Sequence, residues 1–67
     1  MEQDFSLLGL NKYDMKAYES LVRLGKSTAT KISKDSGVPY GKIYETLSSL
    51  ERKGLVITIA GDVKKFV

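Results

Sequence analysis

The side chains with most to offer chemically in this 67-residue chain gather in the middle third, where Tyr40, Gly41, Lys42, Glu45, Thr46 and Ser49 follow in close succession. They supply a phenol, an ammonium, a carboxylate, hydroxyls and a length of bare backbone, which are groups for hydrogen bonding rather than for bond making. A lysine donates to guanine O6 or N7 and equally to a phosphate oxygen, whereas a carboxylate accepts from cytosine N4 and is repelled by phosphates. Lys42 therefore fits a base edge, and Glu45 fits cytosine, the orienting of Lys42, or the refusal of wrong sequences. Gly41 costs ~1 kcal/mol of helix propensity relative to Ala, which points to close backbone approach or to a tolerated turn residue. Tyr40 suits a sugar-phosphate edge or packing over a turn, and Tyr44 suits packing at the edge of the core. Upstream, Thr28, Thr30 and Lys31 open a helix, where unpaired N–H groups and the positive dipole end can hold a phosphate and where Thr28 can cap. Downstream lie Lys64 and Lys65. Adjacent strand residues point to opposite faces, so one of the two reaches a polyanion directly, and edge lysines also discourage strand-to-strand association.

These groups need elements to position them. Thr28 caps a helix carrying Ala29 and Ile32 on one face, Ser36-Gly37 stops it, and Val38 plugs the corner. Pro39 presets φ and lacks the N–H that a first turn leaves unpaired, so a second helix starts there. Ile43, Leu47 and Leu50 recur at i, i+4 and i+7 as one apolar stripe, which puts Lys42, Glu45, Thr46, Ser49 and Arg52 on or near the outward face. Arg52 and Lys53 precede Gly54 as a cationic last turn and a C′ glycine. The spacing predicts a helix-turn-helix over residues 28–54 with its recognition helix at 39–53.

Ahead of this unit Asn11 caps a helix with Asp14 in the first turn and Ala17, Tyr18, Leu21 and Leu24 on one face; Gly25 closes it. Phe5 to Leu10 form a short apolar lead. Behind it, Leu55 to Ile59 is β-branched and apolar, Ala60-Gly61-Asp62 signals a turn, and Val63 to Val67 returns as a second strand. Helix, helix, helix, hairpin is the winged-helix order: mainly α, with a two-stranded wing at 55–67, in a single domain over 1–67. Lys12, Lys16, Arg23, Lys26 and Lys34 read as solvated faces.

Composition narrows the function. With no Cys and no His, thiolate and imidazole ligands, nucleophiles paired with His, and disulfides are all excluded. The carboxylates are scattered and no glycine-rich phosphate cradle is present, so the expectation is no enzyme, no metal and no cofactor. No apolar run approaches the ~20 residues of a membrane span, and the start of the chain is acidic where a signal peptide is basic, so a cytoplasmic protein is expected. A net charge of +3 and a pI near 9.3 suit a polyanion.

The run from Leu8 to Gly25, with LGL and then Tyr13, Ala17 and Tyr18, together with SGVP at 36–39, Ile43-Tyr44, Leu47, Leu50 and GLV at 54–56, resembles the DNA-binding domain of TrmB-type regulators. This largely archaeal group shares its winged-helix architecture with MarR-like and ArsR-like repressors, and the likeness covers about residues 7–67. It implies transcription regulation through double-stranded DNA by a homodimer. Many relatives carry Pro at position 26, an acidic residue at 31, and a basic residue or Ser at 40 and 41. Lys26, Lys31, Tyr40 and Gly41 stand there instead, so the operator preference is not carried over. Longer members add an effector-binding domain, which is expected to be absent from this chain. Phe5 to Leu10 is the expected dimer seam, since helix-turn-helix proteins commonly read paired half-sites. The alternative is a winged helix used for protein contacts in a transcription or assembly complex, which a polar, mildly basic outward face disfavours.

Overall fold

Residues 9–61 and 65–67 are described by a computed structural model. The first helix among the described residues, α1 (Lys12–Leu24), begins in a reciprocal capping box: Asn11 Oδ1 accepts from the Asp14 amide at 2.8 Å and Asp14 Oδ2 accepts from the Asn11 amide at 3.2 Å. It buries Ala17 and Leu21 in the core, and Gly25 caps its end. A two-residue strand, β1 (Ser27–Thr28), leads into α2 (Ala29–Ser36), where Thr28 Oγ1 accepts from the Lys31 amide at 3.2 Å. Gly37 ends α2 in the left-handed conformation at φ 84°, as the Ser36-Gly37 stop requires. Val38 is buried at the corner, held by Ser33 Oγ donating to its carbonyl at 2.6 Å and by its own amide donating to Ser36 Oγ at 3.1 Å.

The helix after the turn, α3, spans Tyr40–Arg52. Pro39 is its N-cap rather than its first residue, because a ψ of 143° keeps proline extended while its carbonyl already accepts from the Lys42 amide at 2.8 Å. At the other end, the Leu55 amide returns to the Leu50 carbonyl at 3.0 Å and the Gly54 amide to the Glu51 carbonyl at 2.9 Å, with Gly54 at φ 78°. This glycine-based cap consumes Leu55, and the core consumes Val56, so the strand expected over 55–59 shortens to β2 (Thr58–Ile59). The returning strand is β3 (Lys65–Phe66). Asp62 to Lys64, including the end of the expected turn and Lys64 itself, lie outside the described residues.

The expected two-stranded wing is joined by a third strand. The sheet order is β1-β3-β2, antiparallel throughout, with Ser27 and Thr58 both opposite Phe66, and Thr28 and Ile59 both opposite Lys65. Ser27–Thr28 carries no β-rich run; it pairs because β3 arrives beside it. Reciprocal bonds between Ile57 and Val67, at 2.8 and 3.0 Å, extend the β2–β3 ladder. Ile32, Val38, Ile43, Leu47, Leu50, Val56 and Phe66 close one core under α1, α2 and α3. Leu10 is part of it, so it is not available to the dimer seam expected over Phe5 to Leu10, and Phe5 to Leu8 lie outside the described residues.

Arg23 is not simply solvated. It pairs with Asp35 at 2.5 Å, and the buried Ser20 hydroxyl donates to the same carboxylate oxygen at 2.6 Å, tying α1 to α2. The Ser20 hydrogen bond first, then Arg23, hold the Asp35 carboxyl below its ordinary value of 3.8. A lowered folded value means that this contribution is fully present above the unfolded pKa and is lost as pH falls through the folded one. Asp35→Asn is therefore expected to lower Tm at neutral pH, with the gap to the parent closing in melts taken progressively below pH 3.8. A gap that stays constant to the lowest pH contradicts this role.

Candidate nucleic-acid interface

Three anchors hold α3 in place. Its apolar stripe of Ile43, Leu47 and Leu50 is fully buried, which turns the opposite side outward. At about 100° per residue, the line most nearly opposite the stripe passes through Gly41, Glu45, Ser48 and Arg52, all of them exposed. This ridge is the part of α3 that a large partner meets first. Gly41 leaves a notch at its N-terminal end, with no neighbouring atom within 4 Å of where a Cβ would stand.

One flank of the ridge faces the wing. Tyr40 and Tyr44 sit there 56% and 48% exposed, ring centroids 5.9 Å apart and edge-on, and Tyr44 stands edge-on to Phe66 of β3 at 6.4 Å. Tyr44 thus packs at the edge of the core, as its place beside the stripe suggests. The neighbouring Tyr40 phenol raises the Tyr44 phenol above the ordinary tyrosine value of 10.0, so its hydroxyl is a neutral donor at physiological pH.

The other flank faces the start of α1 across a cleft lined by Tyr13, Asp14, Lys42, Glu45, Ser49 and Arg52 among others. The third anchor lies at its floor. Asp14 is buried, accepts from Ser49 Oγ at 3.5 Å and lies 4.0 Å from Lys53 Nζ, which itself donates to Ser49 Oγ at 2.9 Å. A buried carboxylate needs such partners, and here they clamp the start of α1 to the far half of α3. Ser49 is consequently half-buried with its hydroxyl engaged.

Thr46 needs correction. It is 5% exposed, and its hydroxyl donates to the Lys42 carbonyl one turn back at 2.8 Å, so it is not on the outward face. The reason is angular: at about 100° per residue Thr46 lies about 40° beyond Leu50 around the helix, so it extends the buried stripe on its α1 side. Lys42 is exposed on the cleft flank, off the centre of the ridge. Ser48 and Arg52 occupy the centre, and counting i, i+4, i+7 and i+11 from Gly41 finds both in the sequence. Across the wing flank, register places Thr28 opposite Lys65, so the start of α2 and the returning wing strand converge. Thr30, Lys31 and Lys65 are exposed there, while Thr28 is half-buried as the α2 cap. The third strand, which no residue pattern announces, makes this convergence.

A family model described as "Sugar-specific transcriptional regulator TrmB" matches residues 5–67. The chain belongs to the TrmB family. It is 48% identical over 59 residues to the HTH-type sugar sensing transcriptional regulator TrmBL1 of Pyrococcus furiosus, covering 88% of this chain and 17% of that protein. It is 40% identical over 57 residues to the DNA-binding HTH-type transcriptional repressor TrmBL2 of Thermococcus kodakarensis, covering 85% of this chain and 22% of the relative. A bacterial relative, the uncharacterized protein YrhO of Bacillus subtilis, is 38% identical over 60 residues, covering 90% of this chain and 22% of that protein. The chain thus spans about a fifth of the length of these relatives. No solved structure matches it. TrmB membership agrees with the three helices and small antiparallel sheet of the described residues, among which no helix is long and apolar enough to cross a membrane.

Proposed function

We propose that this TrmB-family domain binds double-stranded DNA sequence-specifically, as the reading module of a cytoplasmic transcriptional regulator. The outward ridge of α3 carries the reading. Its polar side chains and open Gly41 notch stand clear of the core, and a recognition helix of this width fits the major groove. The flanks then meet the two phosphate backbones. Lys65, Thr30 and the start of α2 at Thr28 and Lys31 serve one strand, with Lys64 beside them in sequence. Lys42 borders the other from the cleft side, where it also reaches a base edge, and Arg52 meets a phosphate from the far end of the ridge. Tyr40 stands exposed at the helix start, within reach of a sugar-phosphate edge. Two copies on a pseudo-palindrome place two such helices one helical turn apart, about 34 Å. The relatives support the reading, one being named a DNA-binding repressor and another a sugar sensing regulator.

Fluorescence anisotropy of the 67-residue chain with a labelled duplex library at low salt tests it. Saturable binding, with one duplex preferred after rounds of selection, is expected. No binding at low salt, with recovery of a protein partner that is lost on substituting Tyr40 or Arg52, places the domain among protein-contact winged helices instead.

A further inference from the structure

Glu45 occupies the middle of the outward ridge, between the Gly41 notch and Ser48, and is exposed. The two ion pairs among the described residues join Arg23 to Asp35 and Lys53 to Asp14, and neither involves Glu45. Lys42, three residues away, does not neutralise it. A carboxylate so placed is costly on a surface that approaches a polyanion, since phosphates repel it and it can only accept hydrogen bonds. The major groove offers acceptors at guanine N7 and O6, adenine N7 and thymine O4, and donors only at the amino groups of cytosine N4 and adenine N6. Adenine sets its N7 acceptor beside the amino group, which opposes a carboxylate; cytosine does not.

We propose that Glu45 is the specificity-determining residue of this domain and selects a cytosine, through N4, at one position of each half-site. The inference rests on the DNA-binding reading above. Gly41 and Ser48, small residues on either side along the ridge, allow the helix to sit deep enough for so short an acid to reach the base edge. Guanine and thymine offer Glu45 no donor, and on adenine the N7 acceptor opposes it beside the amino group, so one side chain both rewards the right base and disfavours the rest.

The test is selection from a randomised duplex library with the parent chain, Glu45→Gln and Glu45→Ala, each checked for unchanged helicity because position 45 is exposed. Parent selections should show one near-invariant C·G pair per half-site. Glu45→Gln should move that preference to A·T, because a glutamine amide pairs bidentately with adenine N6 and N7. Glu45→Ala should lose preference at that position alone, binding the selected duplex about tenfold more weakly than the parent and a scrambled duplex more tightly, as a charge is removed. Variant selections identical to the parent's, or an equal gain by Glu45→Ala on both duplexes, would reduce Glu45 to a general repellent and overturn the inference while leaving DNA binding intact. Failure of the parent itself to enrich any duplex removes the DNA-binding reading, and this inference with it.

Discussion

Leu50→Ala is expected to leave the protein largely unfolded at 25 °C. Leu50 is fully buried where α3 crosses the core, and its carbonyl accepts the Leu55 amide that closes the helix. Truncating a buried leucine costs about 2–5 kcal/mol, from the lost transfer of its methyl groups and from the cavity they leave. A domain of this length is stable by only about 3–10 kcal/mol in total. The core has few layers through which to relax, and the position is shared by the helix, its cap and the chain entering the sheet. Circular dichroism melts check this, with Leu55→Ala as the comparison, because Leu55 is 38% exposed and uses chiefly its backbone. A Leu50→Ala protein melting within a few degrees of the parent, or a Leu55→Ala protein equally damaged, contradicts the account of where the core sits.

Duplex affinity is expected to fall about a hundredfold between roughly 50 and 200 mM salt, if Lys31, Lys42, Arg52 and Lys65 each neutralise one phosphate. Four displaced counterions give a log–log slope of about −3.6. All four cations are exposed: Lys42 on the cleft flank of α3, Arg52 at the far end of its ridge, Lys31 near the start of α2 and Lys65 on β3. Lys65→Ala should reduce the magnitude of the slope by about one unit and weaken selected and scrambled duplexes alike, because a phosphate contact carries no sequence information. Lys16→Ala, on an exposed face of α1, should leave the slope unchanged. Anisotropy titrations at several salt concentrations decide between these outcomes. A slope near zero, or an equal change from Lys16→Ala, places the charged surface elsewhere.

Much of the architecture is written locally. Asn11 with Asp14, Thr28, Gly37 and Gly54 mark helix ends through hydrogen bonds to their own neighbours or backbone angles open to few residues, so position alone identifies them. The Ile43, Leu47 and Leu50 stripe orients α3 for a similar reason: a fixed helical period turns spacing into direction. The polar face that follows from it, and the likeness to TrmB-type regulators, are both legible in the sequence. What escaped were contacts between residues far apart in the chain. Ser27–Thr28 becomes a strand only because β3 lies against it, and this pairing alone sets Thr28 opposite Lys65. Thr46 is buried because α1 closes over its side of α3, a polar residue whose hydroxyl is satisfied within its own helix. Arg23 and Ser49 read as surface until Asp35 and Asp14 are brought to them across helix interfaces. Sequence determined the elements and their faces, which depend on near neighbours; the tertiary structure decided which polar groups the packing consumes and which it leaves on the ridge.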